Sequence, residues 1–197
     1  MKKSFLIFML CTWSTVGNAA LVDRGGGFIY DPVLDVTWLQ DANINGLGTW
    51  ADQVAWADGL TATYNGIAFS DWRLPSSFNS DGSGPCTGYS CTGSEMGSLF
   101  YDTLGNALGL PFSNAGPFIN LQSYVYWSGT EEAVDPATTA WNFSFDNGYQ
   151  SPFDKSSAYY ALAVRDGDVV PLPAAFWLFI SGLSLLSWLG RPSAIRN

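Results

Sequence analysis

Polar and apolar residues alternate in the two outer thirds of the central chain, whereas between them apolar residues recur every three or four positions. Gly27-Phe28-Ile29-Tyr30 and Leu34 to Leu39 predict two strands joined by a turn at Asp31-Pro32, with Leu34, Val36 and Trp38 on one face. Val54, Ala57 and Leu60 then follow a helical period that starts after Thr49 and stops at Gly59. A second helix is expected with Glu95 in its first turn, Met96, Leu99, Phe100, Leu104 and Leu108 inward and a break at Gly105. Alternation returns in Tyr124 to Thr130 and in Trp141-Asn142-Phe143-Ser144-Phe145, which turns at Asp146-Asn147-Gly148, and closes with Tyr159 to Arg165. The order is a hairpin, two helices and then an antiparallel sheet, an α+β plan for one domain.

One stretch stands between the two expected helices and joins their patterns. Asp71-Trp72-Arg73-Leu74-Pro75 sets a large aromatic, a cation and a proline side by side, which suits a buried crossover. Trp72 and Leu74 are expected to point inward, Arg73 to meet a carboxylate, and Pro75 to fix the direction in which the chain leaves. The triplet Gly25-Gly26-Gly27 is read as a flexible lead-in, because a phosphate-binding loop needs a strand before it and a helix after it.

The chain ends change the picture of where the 197-residue chain resides. Met1-Lys2-Lys3, an apolar run from Phe5 to Trp13 and the small residues Gly17 to Ala20 read as a secretory signal peptide over residues 1–19, cleaved after Ala19 or Ala20. Residues 20–169 form the expected exported domain. Val170 to Leu189 carries no charge over a length that matches a bilayer core, and Arg191 follows it, so residues 170–197 are expected to hold a transmembrane helix with a cytoplasmic tail.

Charge and cysteines narrow the chemistry. All seventeen carboxylates lie in the central domain, against Arg24, Arg73, Lys155 and Arg165, which argues against a nucleic-acid partner. Cys11 sits in the leader, leaving Cys86 and Cys91 in a Gly-, Ser- and Pro-rich loop where an exported chain is expected to form a disulfide. A metal pair would need further ligands, and the chain has no histidine.

Two readings apply to Asp41-Ala42-Asn43-Ile44-Asn45-Gly46 and Asp52. Their spacing resembles a calcium loop with Asp41, Asn43, Asn45 and Asp52 as ligands. Alternatively Thr49 and Asp52 form a capping box, and the Asp and Asn residues serve a turn.

Two resemblances add to this. Val170-Pro171-Leu172-Pro173-Ala174, the apolar span and Arg191 resemble the VPLPA variant of PEP-CTERM sorting signals, which implies an exosortase-type processing enzyme as partner. The protein would then be anchored in the inner membrane before processing and released to the cell surface or beyond. Leu21 to Gly27, Thr37 to Asn43, Asp71 to Pro75, Tyr126 to Thr130 and Ala163-Val164-Arg165 resemble the Lcl C-terminal domain family. That resemblance implies a C-type-lectin-like fold, in which first and last strands pair, two helices flank the sheet and a loop-rich face binds ligands.

The expected function is therefore a non-catalytic surface or matrix protein that binds a glycan or exopolysaccharide through exposed Trp and Tyr rings, with no cofactor beyond the calcium alternative. With so few cations, the sugars are expected to be neutral or weakly charged. The rival is an enzyme using Glu131, Glu132, Asp146 or Asp154 as acid and base. A purely structural matrix protein is the third reading.

Overall fold

In the computed structural model, which describes residues 20–170, three antiparallel sheets surround a core of aromatic residues. The first is four-stranded in the order β1 (Val22–Gly25), β2 (Phe28–Asp31), β3 (Val36–Leu39) and β9 (Val164–Asp166). The second is a hairpin of β4 (Ala62–Tyr64) and β5 (Ile67–Phe69). The third is the meander β6 (Val125–Glu131), β7 (Thr139–Ser144) and β8 (Gln150–Asp154). Helix α1 (Trp50–Gly59) packs near β6, and the short α2 (Glu95–Gly97) runs directly into a π-helical turn, Ser98–Thr103.

The expected strand face is present: Val36 and Trp38 are buried in the main core with Leu34 packed against it. Thr49 caps α1 in full, its hydroxyl accepting from the Asp52 N–H while the Asp52 carboxylate accepts from the Thr49 N–H. Such a reciprocal cap satisfies two N–H groups that the first helical turn cannot.

The expected fold class is corrected. The described residues are mostly β-sheet with two short helices, and they do not form two helices flanking a lectin-like sheet. Met96, Leu99, Phe100 and Leu104 are buried as their spacing predicts, but the helix ends at Thr103, and Leu108 is 58% exposed. The Leu104 N–H donates to the Leu99 carbonyl, a wider turn than an α-helix makes, and Gly105 then turns the chain away with φ of 66°. The last strand pairs with β3 and not with the first strand. The signal peptide expected over 1–19 and the transmembrane helix expected from Val170 to Leu189 fall outside the described residues, apart from Val170. Among the described residues no helix is long and apolar enough to cross a membrane.

The segment 159–166 ties the sheets together. Tyr159 exchanges two backbone hydrogen bonds with Gly48, Tyr160 adds beside β6, and Val164 lies between Trp38 of β3 and Arg73 of the crossover. Arg73 and Val164 exchange both of their backbone hydrogen bonds at 2.9 Å, so the crossover extends the first sheet. Its side chains behave as their types predict. Trp72 is buried 5.8 Å from the Phe28 ring and donates its indole N–H to the Phe69 carbonyl, and Leu74 packs under α1 with Trp127. The Pro75 carbonyl accepts from Gly129 N–H and the Ser128 hydroxyl, which fastens the crossover to β6.

Asp31, at the end of β2, is fully buried and nucleates the β2–β3 turn by accepting from the Val33 and Leu34 N–H groups. Burial raises its pKa above the ordinary carboxylate value, and those two N–H donors pull it only part of the way back. A raised folded-state pKa means that the folded protein binds the proton more tightly than the unfolded chain. Asp31 therefore adds stability as pH falls toward its unfolded value and loses it as pH rises through the folded one. Urea midpoints of wild type and Asp31→Asn over a pH series should diverge in favour of wild type as pH falls from neutral toward 4. Parallel profiles would show that Asp31 does not titrate in that window.

Candidate functional site

The outer face of the β6–β7–β8 meander carries a candidate surface. Paired residues in an antiparallel sheet project to the same side, so the register gives three rows across it. Ala140 stands opposite Phe153, Asn142 stands between Trp127 and Ser151, and Ser144 stands between Val125 and Tyr149. The inner face carries Tyr126, Phe143 and Gln150, with Tyr126 and Phe143 in the main core. One end of the outer face, at Trp127 and Ala140, is covered by Trp50, Val54 and Ala57 of α1. The other end is uncovered by any helix.

Aromatic rings line that end. Tyr149 is 37% exposed and meets Tyr89 at right angles, ring centroids 5.0 Å apart. Phe153 is 50% exposed and leans on Tyr159 at 5.8 Å, and Tyr159 touches both Trp127 and the half-exposed Tyr124. The side chains of Asn142, Ser144 and Ser151 lie between these rings. Asn142 and Ser144 are buried beneath them, so what this face offers a ligand is the rings of Tyr149 and Phe153 with the half-buried Ser151 hydroxyl between them.

The cysteine loop holds Tyr89 at the rim. Cys86 and Cys91 are disulfide-bonded, as expected, with Cα atoms 5.5 Å apart. Gly88, inside that small ring, exchanges two backbone hydrogen bonds with Gln150 at the start of β8, and the buried Gln150 amide donates to the Cys86 carbonyl. The loop thus adds a short edge to the meander. Behind it lies a shallow trough of about 400 Å³ lined by Asn79, Ser80, Asp81, Ser90 and Thr92.

The Trp residues among those described do not provide this surface. Trp38, Trp72, Trp127 and Trp141 are buried, and Trp50 and Trp56 are half-buried, so the exposed rings are Tyr and Phe. Trp50 lines a second cleft of about 300 Å³ with Val54, Asp58, Arg73, Ser76 and Thr130. There its ring is taken up on one side by the Lys155 ammonium, 4.0 Å from the centroid.

Every cation among the described residues is already paired. Arg73 grips Glu95 with both terminal nitrogens at 2.7 and 2.8 Å and reaches Asp166 at 2.6 Å. Arg165 forms a second fork with Asp71 at 2.8 and 2.9 Å and lies 4.5 Å from the Phe69 centroid. Lys155 meets Glu131, and Arg24 clasps Asp168. The Arg165 contact holds the Asp71 carboxyl below its usual range.

The other residues singled out in the sequence are placed as follows. Asp41 accepts from the Asn43 N–H and the Asn120 amide, Asn45 donates to Gln53, and Asp52 serves as the helix cap. Asp41 and Asp52 thus each spend a carboxylate oxygen on turn or cap bonds while the buried Asn43 Oδ1 has no partner, and among the described residues no group of three or more His, Cys, Asp or Glu is placed to hold a metal. Glu132 accepts from the Val134 and Asp135 N–H groups, Asp146 from Ser123, and Asp154 from Ser156. With Glu131 on Lys155, these four carboxylates are spread over strand ends and turns, and none lines the clefts named above.

The described residues form a small, disulfide-stapled antiparallel domain, and the family its sequence matches points to an extracellular or surface protein. The chain belongs to the Lcl C-terminal domain family, whose sequence model matches residues 27–165. No curated protein matches it. The match runs from the residue before β2 into β9 and takes in the crossover and the whole meander.

Proposed function

We propose that this is an exported, non-catalytic protein of the cell surface or matrix whose domain binds a neutral polysaccharide on the outer face of the β6–β7–β8 meander. The observation that carries this reading is the exposed pair of rings Tyr149 and Phe153 on the β8 side of that face, with the half-buried Ser151 between them. Sugar rings present C–H faces that stack on aromatics and hydroxyls that bond to amides and carbonyls. Charge supports a neutral ligand: seventeen carboxylates repel an anionic chain, and all four described cations are neutralised by their partners. Binding of this kind involves few ions, so added salt leaves it nearly unchanged. The Val170 to Ala174 motif fits recognition by an exosortase-type enzyme as the step that releases the protein.

Affinity electrophoresis in polysaccharide from the producing organism tests the reading. Wild type should be retarded equally at low and high salt. The double variant Tyr149→Ala, Phe153→Ala should bind about a hundredfold more weakly, as expected when two anchoring contacts of about 1.4 kcal/mol each are lost. Phe78→Ala, an exposed ring off this face, should behave as wild type. Retention that is abolished by salt, or that survives in the double variant, would overturn the reading.

A further inference from the structure

We propose that the outer face grips an internal stretch of an extended, equatorially linked polysaccharide and not a chain end; this rests on the carbohydrate reading above. Tyr149, just before β8, and Ser151 and Phe153 within it occupy alternate positions, and the Ser144 N–H donates to the Tyr149 carbonyl as the pairing with β7 continues, so the three side chains leave on the same side. The two rings are four residues apart, which at strand rise separates their Cα atoms by about 13 Å. That is longer than one sugar ring, so a single monosaccharide reaches one anchor and leaves the other in water.

Each anchor is braced from the side. Tyr89 stands at 79° to Tyr149, edge to face, and Tyr159 lies against Phe153 at 5.8 Å. Bracing restricts both rings before ligand arrives, which lowers the entropy lost on binding. The Tyr89 brace is itself fixed by the disulfide loop and its two hydrogen bonds to Gln150.

The line of anchors is open at both ends. Asp146, beyond the Tyr149 end, and Asp154, beyond Phe153, are both exposed, and neither walls off the path of a longer chain. A site for chain termini needs such a wall to tell an end from an interior. Equatorial linkages, as in β-1,4 chains, hold the sugars in a nearly straight ribbon with an apolar face recurring along it. A coiled, axially linked chain would leave the line after the first anchor. The Ser151 hydroxyl between the anchors then meets the hydroxyl edge of the sugar that bridges them.

Titration calorimetry with β-1,4-glucan, β-1,4-mannan and β-1,4-xylan ladders, from disaccharide to hexasaccharide, tests this on the mature protein. In at least one ladder affinity should rise about tenfold with length and then level off, the equivalent of about 1.4 kcal/mol for the second anchor. Tyr149→Ala and Phe153→Ala should each flatten that rise, and because both side chains are exposed, their melting temperatures should match wild type. Equal affinity across all lengths, or a requirement for a free chain end, would overturn internal-chain binding and leave the carbohydrate reading in place. Silence in all three ladders while native polysaccharide still retards the protein would overturn the equatorial ribbon alone. Silence in both experiments would sink the two readings together.

Discussion

Gly97→Ala should lower the melting temperature by about 8 to 16 °C, from a loss of about 4 kcal/mol or more in a domain of this size. A Cβ at Gly97 would lie 1.9 Å from the Cys91 carbonyl oxygen, 2.8 Å from its carbon and 2.7 Å from the Ser94 hydroxyl. Two of these three atoms are backbone, and they sit where the disulfide loop enters α2. Ser94 cannot retreat either, because its hydroxyl accepts from the Gly97 N–H and donates to that same Cys91 carbonyl. Relief would require the loop and the helix start to separate, withdrawing Met96, Leu99 and Phe100 from the core. Gly93→Ala is the informative contrast. Its Cβ would meet the Asn79 Oδ1 at 2.1 Å, but Asn79 is a side chain held by a bond to Ser83 and can swing away at a cost of about 1 kcal/mol. Circular dichroism melts of the two variants should therefore differ by several degrees. A Gly97→Ala melt within about 2 °C of wild type would show that the loop yields where its contacts say it cannot.

That joint between loop and helix was only half legible in the sequence. The apolar spacing of Met96, Leu99, Phe100 and Leu104 identifies the core face, yet it does not reveal that a π-turn delivers the last of them. Other omissions had signals. Asn65-Gly66, both at positive φ, is the common two-residue hairpin turn and joins β4 to β5. Gly25, Gly26 and Gly27 have positive φ because they form the tight connection between β1 and β2, where a flexible lead-in was expected. Strand β8 was hidden by Pro152, which breaks the pattern of a central strand but is tolerated near a sheet edge. Missing β8 meant missing the candidate site, since Tyr149 and Phe153 acquire a common face only once the register with β7 is known. The disulfide and the helix cap, by contrast, depend on residues close in sequence, and both were readable.

The crossover was legible as well, and it supports the second large effect. Arg73→Ala should destabilise the domain by about 3 kcal/mol, the lower end of the range for breaking a buried ion pair, because Arg73 is itself about a third exposed. Most of that loss comes from Glu95. Its side chain is only 14% exposed, and without the guanidinium it keeps a hydrogen bond from the Ser76 N–H while losing both charge-assisted ones. Glu95 in turn holds Arg73 protonated even more firmly than an ordinary arginine. Asp166, well exposed, contributes little to the loss. The consequence is an asymmetry that a double-mutant cycle can read. Arg73→Met leaves a buried carboxylate alone and should cost nearly as much as Arg73→Ala, whereas adding Glu95→Leu removes the stranded charge and should recover about half of the loss. Additive costs for Arg73→Met and Glu95→Leu in urea unfolding would mean that the fork between crossover and α2 does not couple them, and that packing of Trp72 and Leu74 alone holds the crossover in place.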